Sequence, residues 1–154
     1  MKLHLIWQKP IPLEKDSGLI YTCDIEKIPD VEGVYIFARR WGKNYEALYV
    51  GQSRRLRSRI RGQLNNLKLM KYIDNAASGK RALIIGQPAK RAGKKNKMLL
   101  DTLERAFIRH FLSEGHDLAN KQGVRIRRHE ISSEGPLNKA FMPRAVYLEK
   151  RKGE

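Results

Sequence analysis

A chain of 154 residues with 32 Lys and Arg against 16 Asp and Glu carries a net charge of +16. That is length for one ordinary domain with its own core, and charge that makes a polyanion the natural partner. No apolar run approaches the ~20 residues of a membrane span. The apolar stretch Leu3-His4-Leu5-Ile6-Trp7 breaks at Gln8 and is too short for a secretory signal, and the single cysteine, Cys23, excludes an internal disulfide. The expectation is a soluble, cytoplasmic protein that binds nucleic acid and not membrane.

In chain order, residues 1–30, punctuated by Pro10, Pro12 and Pro29, are expected to add a strand and a loop over the core. Val34-Tyr35-Ile36-Phe37-Ala38 and Ala47-Leu48-Tyr49-Val50 are aromatic and β-branched runs on either side of Trp41-Gly42-Lys43-Asn44, which predicts an antiparallel hairpin over Gly33 to Ser53. Ser53 then serves as N-cap of a helix through about Leu67, with Leu56, Ile60, Leu64 and Leu67 on one face. Ala82-Leu83-Ile84-Ile85, bounded by glycines, reads as a third and central strand. Residues 90–97 hold five cations, no acid and no apolar periodicity, and are expected to be an exposed loop. From about Lys97 to Glu114 the stripe Leu99, Leu100, Leu103, Ala106, Phe107, Phe111 predicts the strongest helix, ended at Gly115. Val124 to Ile131 alternates as an edge strand, and residues 133–154 read as a charged tail prone to fray. The fold class expected is α/β of the α+β type. It has a small, mainly antiparallel, three-stranded central sheet flanked by helices, in one domain with its core over about 31–132.

Within that frame stand Gly33-Val34-Tyr35 and Tyr49-Val50-Gly51, with 13 residues between the two tyrosines, room for one strand to end, turn and return so that both phenols can face the same cleft. This pair of tripeptides resembles the motif that names the GIY-YIG nucleases. Arg59, eight residues past Gly51, resembles the family's helix arginine, Glu104 its metal-binding glutamate and Asn120 the asparagine after that helix. The resemblance covers roughly Gly33 to Asn120 and implies a divalent-metal-dependent endonuclease that hydrolyses DNA phosphodiester bonds. It assigns water activation to Tyr35 ahead of Tyr49, charge stabilisation to Arg59, and magnesium or manganese to Glu104.

The residues are chemically suited to those assignments. A guanidinium offers a fork of donors to phosphoryl oxygens. A carboxylate bordering the apolar stripe of Leu100, Leu103 and Phe107 needs a cationic partner, whether an arginine or a metal. Arg54 and Arg55, with Lys94, Lys95 and Lys97, are the expected phosphate contacts. Two glutamines depart from the family's pattern. Gln52 follows the second tripeptide where several members carry lysine, and Gln63 lies one turn beyond Arg59 where many carry histidine or tyrosine. Neither glutamine can accept a proton. The four histidines, His4, His110, His116 and His129, form no metal pair by spacing and read as structural or solvated. The alternatives are a nucleic-acid-binding protein on the same scaffold without hydrolysis, and an RNA-directed nuclease.

Overall fold

The computed structural model describes residues 3–16, 18–89, 96–120, 128–137, 141 and 143–149. Among these, the strands are β1 (Leu5–Trp7), β2 (Ile11–Lys15), β3 (Tyr21–Thr22), β4 (Gly33–Trp41), β5 (Asn44–Ser53), β6 (Lys80–Pro88), β7 (Arg128–Ser132) and β8 (Ala145–Glu149). The helices are α1 (Leu56–Leu64), α2 (Leu67–Asp74) and α3 (Asn96–Ser113), with a 3-10 turn at Ile25–Lys27. The fold is α+β with antiparallel pairing in each ladder described.

The predicted hairpin forms one side of the sheet. β4 and β5 are joined by a two-residue turn in which Gly42 takes a left-handed φ of 59°, a conformation that costs glycine little. β6 lies on the other side of β4, as the predicted central strand. The sheet is larger than the three strands expected. β2 and β1 lie end to end along the free side of β6 and β3 extends β2, giving six strands in the order β3-β2-β6-β4-β5 with β1 off that path. The segment around Pro10 that separates β1 from β2 is therefore a break in edge pairing, where a missing N–H is tolerated.

The two sheet faces bury different helices. Tyr35, Phe37, Leu48, Leu83 and Ile85 pack with Leu56, Ile60 and Leu64 of α1 and with Leu69, Met70 and Ile73 of α2. Val34, Ile36, Ala38, Ala47 and Val50 pack with Leu103, Ile108 and Leu112 of α3. Strand alternation thus feeds both cores from the same two strands.

The helix expected from Ser53 to Leu67 forms over the shorter span Leu56–Leu64, and a second helix that was not expected begins at Leu67. The Ser53 hydroxyl accepts from the Arg55 amide at 3.0 Å, and the Leu56 amide donates to Val31 at 3.0 Å, so the chain turns before it coils. The break at Asn65 and Asn66 has a local cause. Asn66 accepts from the Leu69 amide at 3.2 Å and caps α2, favouring a new helix over continuation of the first.

Within the charged tail expected at residues 133–154, Ala145–Glu149 form β8 and pair with β7 in a separate two-stranded ladder, while residues 138–140, 142 and 150–154 lie outside the described residues. Of the strand expected at Val124 to Ile131, residues 121–127 lie outside the described residues. So do Lys94 and Lys95, and the side chain of Lys97.

Candidate active site

The C-terminal end of β5, the start of β4 and the middle of α1 converge, and the hairpin register decides which side chains meet there. Tyr35 is opposite Gly51 and Phe37 opposite Tyr49, so both phenols rise from the same face toward α1. Their rings are stacked with centroids 6.0 Å apart. Tyr35 is 0% exposed, whereas Tyr49 is half-buried.

Glycine at position 51 is a packing requirement. A Cβ there would come within 2.4 Å of Cζ and of the hydroxyl oxygen of Tyr35, so the ring lies directly against bare backbone. Gly33 is required in the same way, since its Cβ would meet the Gly86 carbonyl oxygen at 2.5 Å and Leu56 Cδ1 at 2.8 Å. The two terminal glycines of the paired tripeptides are thus where β6, α1 and the Tyr35 ring press closest.

α1 supplies the polar partners. Gln63, 7% exposed, donates through Nε2 to the hydroxyl oxygens of Tyr35 at 2.8 Å and Tyr49 at 3.1 Å. Its Oε1 accepts from Asn66 Nδ2 at 3.2 Å. One amide nitrogen therefore bridges both phenols, and a neighbouring amide fixes its orientation. Arg59, one turn earlier on α1, interacts with the Tyr35 hydroxyl and keeps an exposed face. Burial pushes the Tyr35 phenol well above its ordinary value and Tyr49 adds to the rise, while Gln63 and Arg59 pull it back only in part.

The carboxylates come from α3. Glu104 is raised above its ordinary value, first by burial and then by Asp101 one turn before it, with Arg59 opposing. Gln52, the residue after the second tripeptide, donates to Asp101 Oδ1 at 2.9 Å and ties the end of β5 to α3. Tyr35, Tyr49, Arg59 and Glu104 thus belong to one electrostatic neighbourhood, in which Glu104 and both phenols each act on the Arg59 guanidinium.

Asn120 sits differently. Its side chain brackets the Val50 backbone, accepting from the Val50 amide and donating to the Val50 carbonyl oxygen. The Ala119 amide donates to Leu48 at 2.8 Å, and His116 Nδ1 accepts from the Ala47 amide at 2.9 Å. The segment after α3 therefore covers the outer edge of β5, an edge strand whose free backbone groups need partners. His116 is structural, as its spacing suggested. Of the expected phosphate contacts, Arg54 is exposed, and Arg55 is exposed with a 3.7 Å ion pair to Asp30. Arg57, a neighbour on the same basic helix, donates to the Ile28 carbonyl at 2.9 Å and fastens α1 to the N-terminal segment.

Among the described residues no group of three or more His, Cys, Asp or Glu could hold a metal. The donor set fits a cation that uses one or two carboxylates and otherwise water, as magnesium does. Glu104 is a desolvated carboxylate beside a second acid, and a divalent cation would relieve both costs. Asp101, Gln63 and Asn66 were not singled out as site residues from sequence. Asp101 had a signal, standing three residues before Glu104 at the same border of the apolar stripe.

No family model matches the chain, and neither does any curated protein or solved structure.

Proposed function

We propose that this protein is a divalent-metal-dependent endonuclease that hydrolyses DNA phosphodiester bonds at the site bounded by Tyr35, Tyr49, Arg59 and Glu104. One observation carries the reading: two phenols on neighbouring strands share a single bridging amide, beside an arginine that also senses a desolvated carboxylate. A site of this kind can move a proton, stabilise anionic charge and hold a hard cation. The excess of 16 positive charges supplies general affinity for the substrate polyanion.

Arg59 faces solvent and presents its donors to a phosphoryl oxygen where charge builds as water attacks phosphorus. The proton that water loses goes to a phenolate oxygen of the tyrosine pair as the new P–O bond forms, and the P–O bond to the departing deoxyribose oxygen breaks. Solvent reaches Tyr49 and not Tyr35, so Tyr49 meets the water and Tyr35, held between Gln63 and Arg59, sets its position. This reverses the order expected from sequence, which gave Tyr35 the proton. Burial is the reason, because a phenol without exposed surface and pushed far above its ordinary value is a poor partner for an incoming water. Glu104, with Asp101 beside it, would hold magnesium or manganese, which supplies Lewis-acid neutralisation of phosphoryl charge. Asn120 braces the strand that carries Tyr49, and Arg54 and Arg55 hold phosphates outside the cleft.

The test is nicking of supercoiled DNA with magnesium, compared with single-stranded DNA and RNA. Glu104→Gln should keep DNA affinity and lose cleavage by several orders of magnitude. Tyr49→Phe should lose more single-turnover rate than Tyr35→Phe. Cleavage at the wild-type rate by folded Glu104→Gln protein would refute the metal assignment, and no cleavage by the wild type on any substrate would leave a nucleic-acid-binding protein.

A further inference from the structure

We infer that Gln63 is a positioning residue whose amide, oriented by Asn66, holds the oxygens of both site tyrosines as hydrogen-bond acceptors and not as donors to position 63. The inference rests on the nuclease reading for its purpose and on hydrogen-bond geometry for its content.

Asn66 uses its two ends for two tasks. Its Oδ1 accepts from the Leu69 amide at 3.2 Å as the cap of α2, which leaves only Nδ2 to meet Gln63. Nδ2 can only donate, so the Gln63 atom it touches must be the carbonyl oxygen. The Gln63 nitrogen is then forced toward the phenols, where its two hydrogens match the two oxygens at 2.8 and 3.1 Å. The helix break that begins α2 is thereby coupled to proton geometry in the site. A histidine or tyrosine at position 63 could not make this double donation from one nitrogen. The glutamine is thus a different solution to holding two phenols, although it takes no proton itself.

The consequence concerns which protonation state the pair can reach. A donor aimed at a phenol oxygen favours the phenolate, and an acceptor there favours the neutral phenol. Arg59 from α1 also favours the phenolate at Tyr35, and Glu104 with Asp101 from α3 act on Arg59 or on each other. Reversing Gln63 while leaving these groups in place therefore isolates its part.

Asn66→Asp does so from outside the site. The new carboxylate keeps the cap on Leu69 but presents only acceptors to Gln63, so the amide rotates to donate to it and turns its carbonyl oxygen to the phenols. Gln63→Glu places acceptors against the phenols directly, at equal size. The primary readout is the Raman Fermi doublet of tyrosine, which separates phenol oxygens that accept from those that donate, assigned by difference from Tyr35→Phe and Tyr49→Phe. It needs no activity. Both variants should move two tyrosines from acceptor to donor. Their nicking rate at neutral pH should fall by about ten- to a hundredfold, with the rate profile moved to higher pH and DNA affinity unchanged in Asn66→Asp.

An unchanged doublet in folded Asn66→Asp and Gln63→Glu protein overturns the inference. So does a normal rate profile in variants whose doublet has reversed. If the doublet reverses while the wild type cleaves nothing, the bridge stands and the nuclease reading falls.

Discussion

Replacing Gly51 by alanine should cost far more than one methyl group ordinarily does. The added Cβ would lie 2.4 Å from both Cζ and the hydroxyl oxygen of Tyr35 and 2.8 Å from Cε1, so the phenol end of the ring must retreat by about 1 Å to reach van der Waals distance. That ring has no exposed surface and is packed edge-on against Phe37 with centroids 5.8 Å apart, so no empty space receives it. A shift of this size also exceeds the slack in the 2.8 Å bond from Gln63. Overpacking at roughly 1–3 kcal/mol and a lost buried hydrogen bond at about 1 kcal/mol together predict a loss of about 2–4 kcal/mol. For a chain of this length that is a fall in Tm on the order of 10 °C. Urea and thermal unfolding measure it, with Gly62→Ala as control. Gly62 lies in α1 with nothing within 4 Å of an added Cβ, so that change should stabilise by about 0.5–1 kcal/mol. Combining Gly51→Ala with Tyr35→Ala should be less than additive by at least ~1 kcal/mol. Full stability of Gly51→Ala, or strict additivity, would refute the close packing of ring on backbone.

Three further outcomes are expected elsewhere in the chain. The raised Glu104 pKa means that the folded chain holds its proton more tightly than the unfolded one. Stability from that proton is present in acid and lost as pH rises through the folded value. Glu104→Gln should therefore raise Tm near neutral pH with a gain that vanishes in acid, while magnesium should raise the Tm of the wild type alone. Arg81, 7% exposed, donates to the carbonyl oxygens of Ile73, Asp74, Ala76, Ala77 and Gly79. Arg81→Lys, too few donors for that cage, should lower stability by roughly 2–4 kcal/mol in urea unfolding. Neutralising Lys94, Lys95 and Lys97 together should reduce the slope of log affinity against log salt on duplex DNA by roughly 2–3.

What the sequence revealed follows from how local each signal is. Apolar runs and turn residues announced β4, β5 and β6, and the apolar stripe from Leu99 to Phe111 announced α3, although the face it buries runs through Leu100, Leu103, Ile108 and Leu112 and leaves Ala106 exposed. α2 was not legible. Its eight residues carry little pattern, and it depends on the Asn66 cap at one end and on Arg81 gathering its last carbonyls at the other. β8 was missed for a related reason, since the run Ala145-Val146-Tyr147-Leu148 does not alternate and Val146 and Leu148 are exposed. At the site, the types of Tyr35, Tyr49, Arg59 and Glu104 suffice to suggest chemistry. The roles of Gln52 and Gln63 do not follow from type, because an amide becomes a tether or a bridge only through the partner that orients it.

The facing of the two phenols is the least legible feature of all, and it rests on one irregularity. Closed by Gly42 and Lys43 with Trp41 opposite Asn44, an unbroken ladder would place Phe37 opposite Leu48 and Tyr35 opposite Val50. Tyr49 would then point to the α3 face, with the sheet between it and Tyr35. Instead the register shifts between Phe37 and Ala38, with Tyr49 opposite Phe37 and Gly51 opposite Tyr35. Leu48 is the extra residue of this bulge. It stays buried on the α1 face, and its carbonyl accepts from the Ala119 amide at 2.8 Å instead of continuing the ladder. The 13 residues between the tyrosines are therefore the wrong count for a regular hairpin and the right one for a bulged hairpin. Nuclear Overhauser contacts decide between the two registers. The Tyr49 ring should contact the rings of Tyr35 and Phe37, and the Gly51 α-protons should be shifted upfield by the Tyr35 ring that covers them. Contacts from the Tyr49 ring to Leu103 or Ile108 would place the phenols on opposite faces, and with them would go the shared site, the Gln63 bridge and the proposed chemistry.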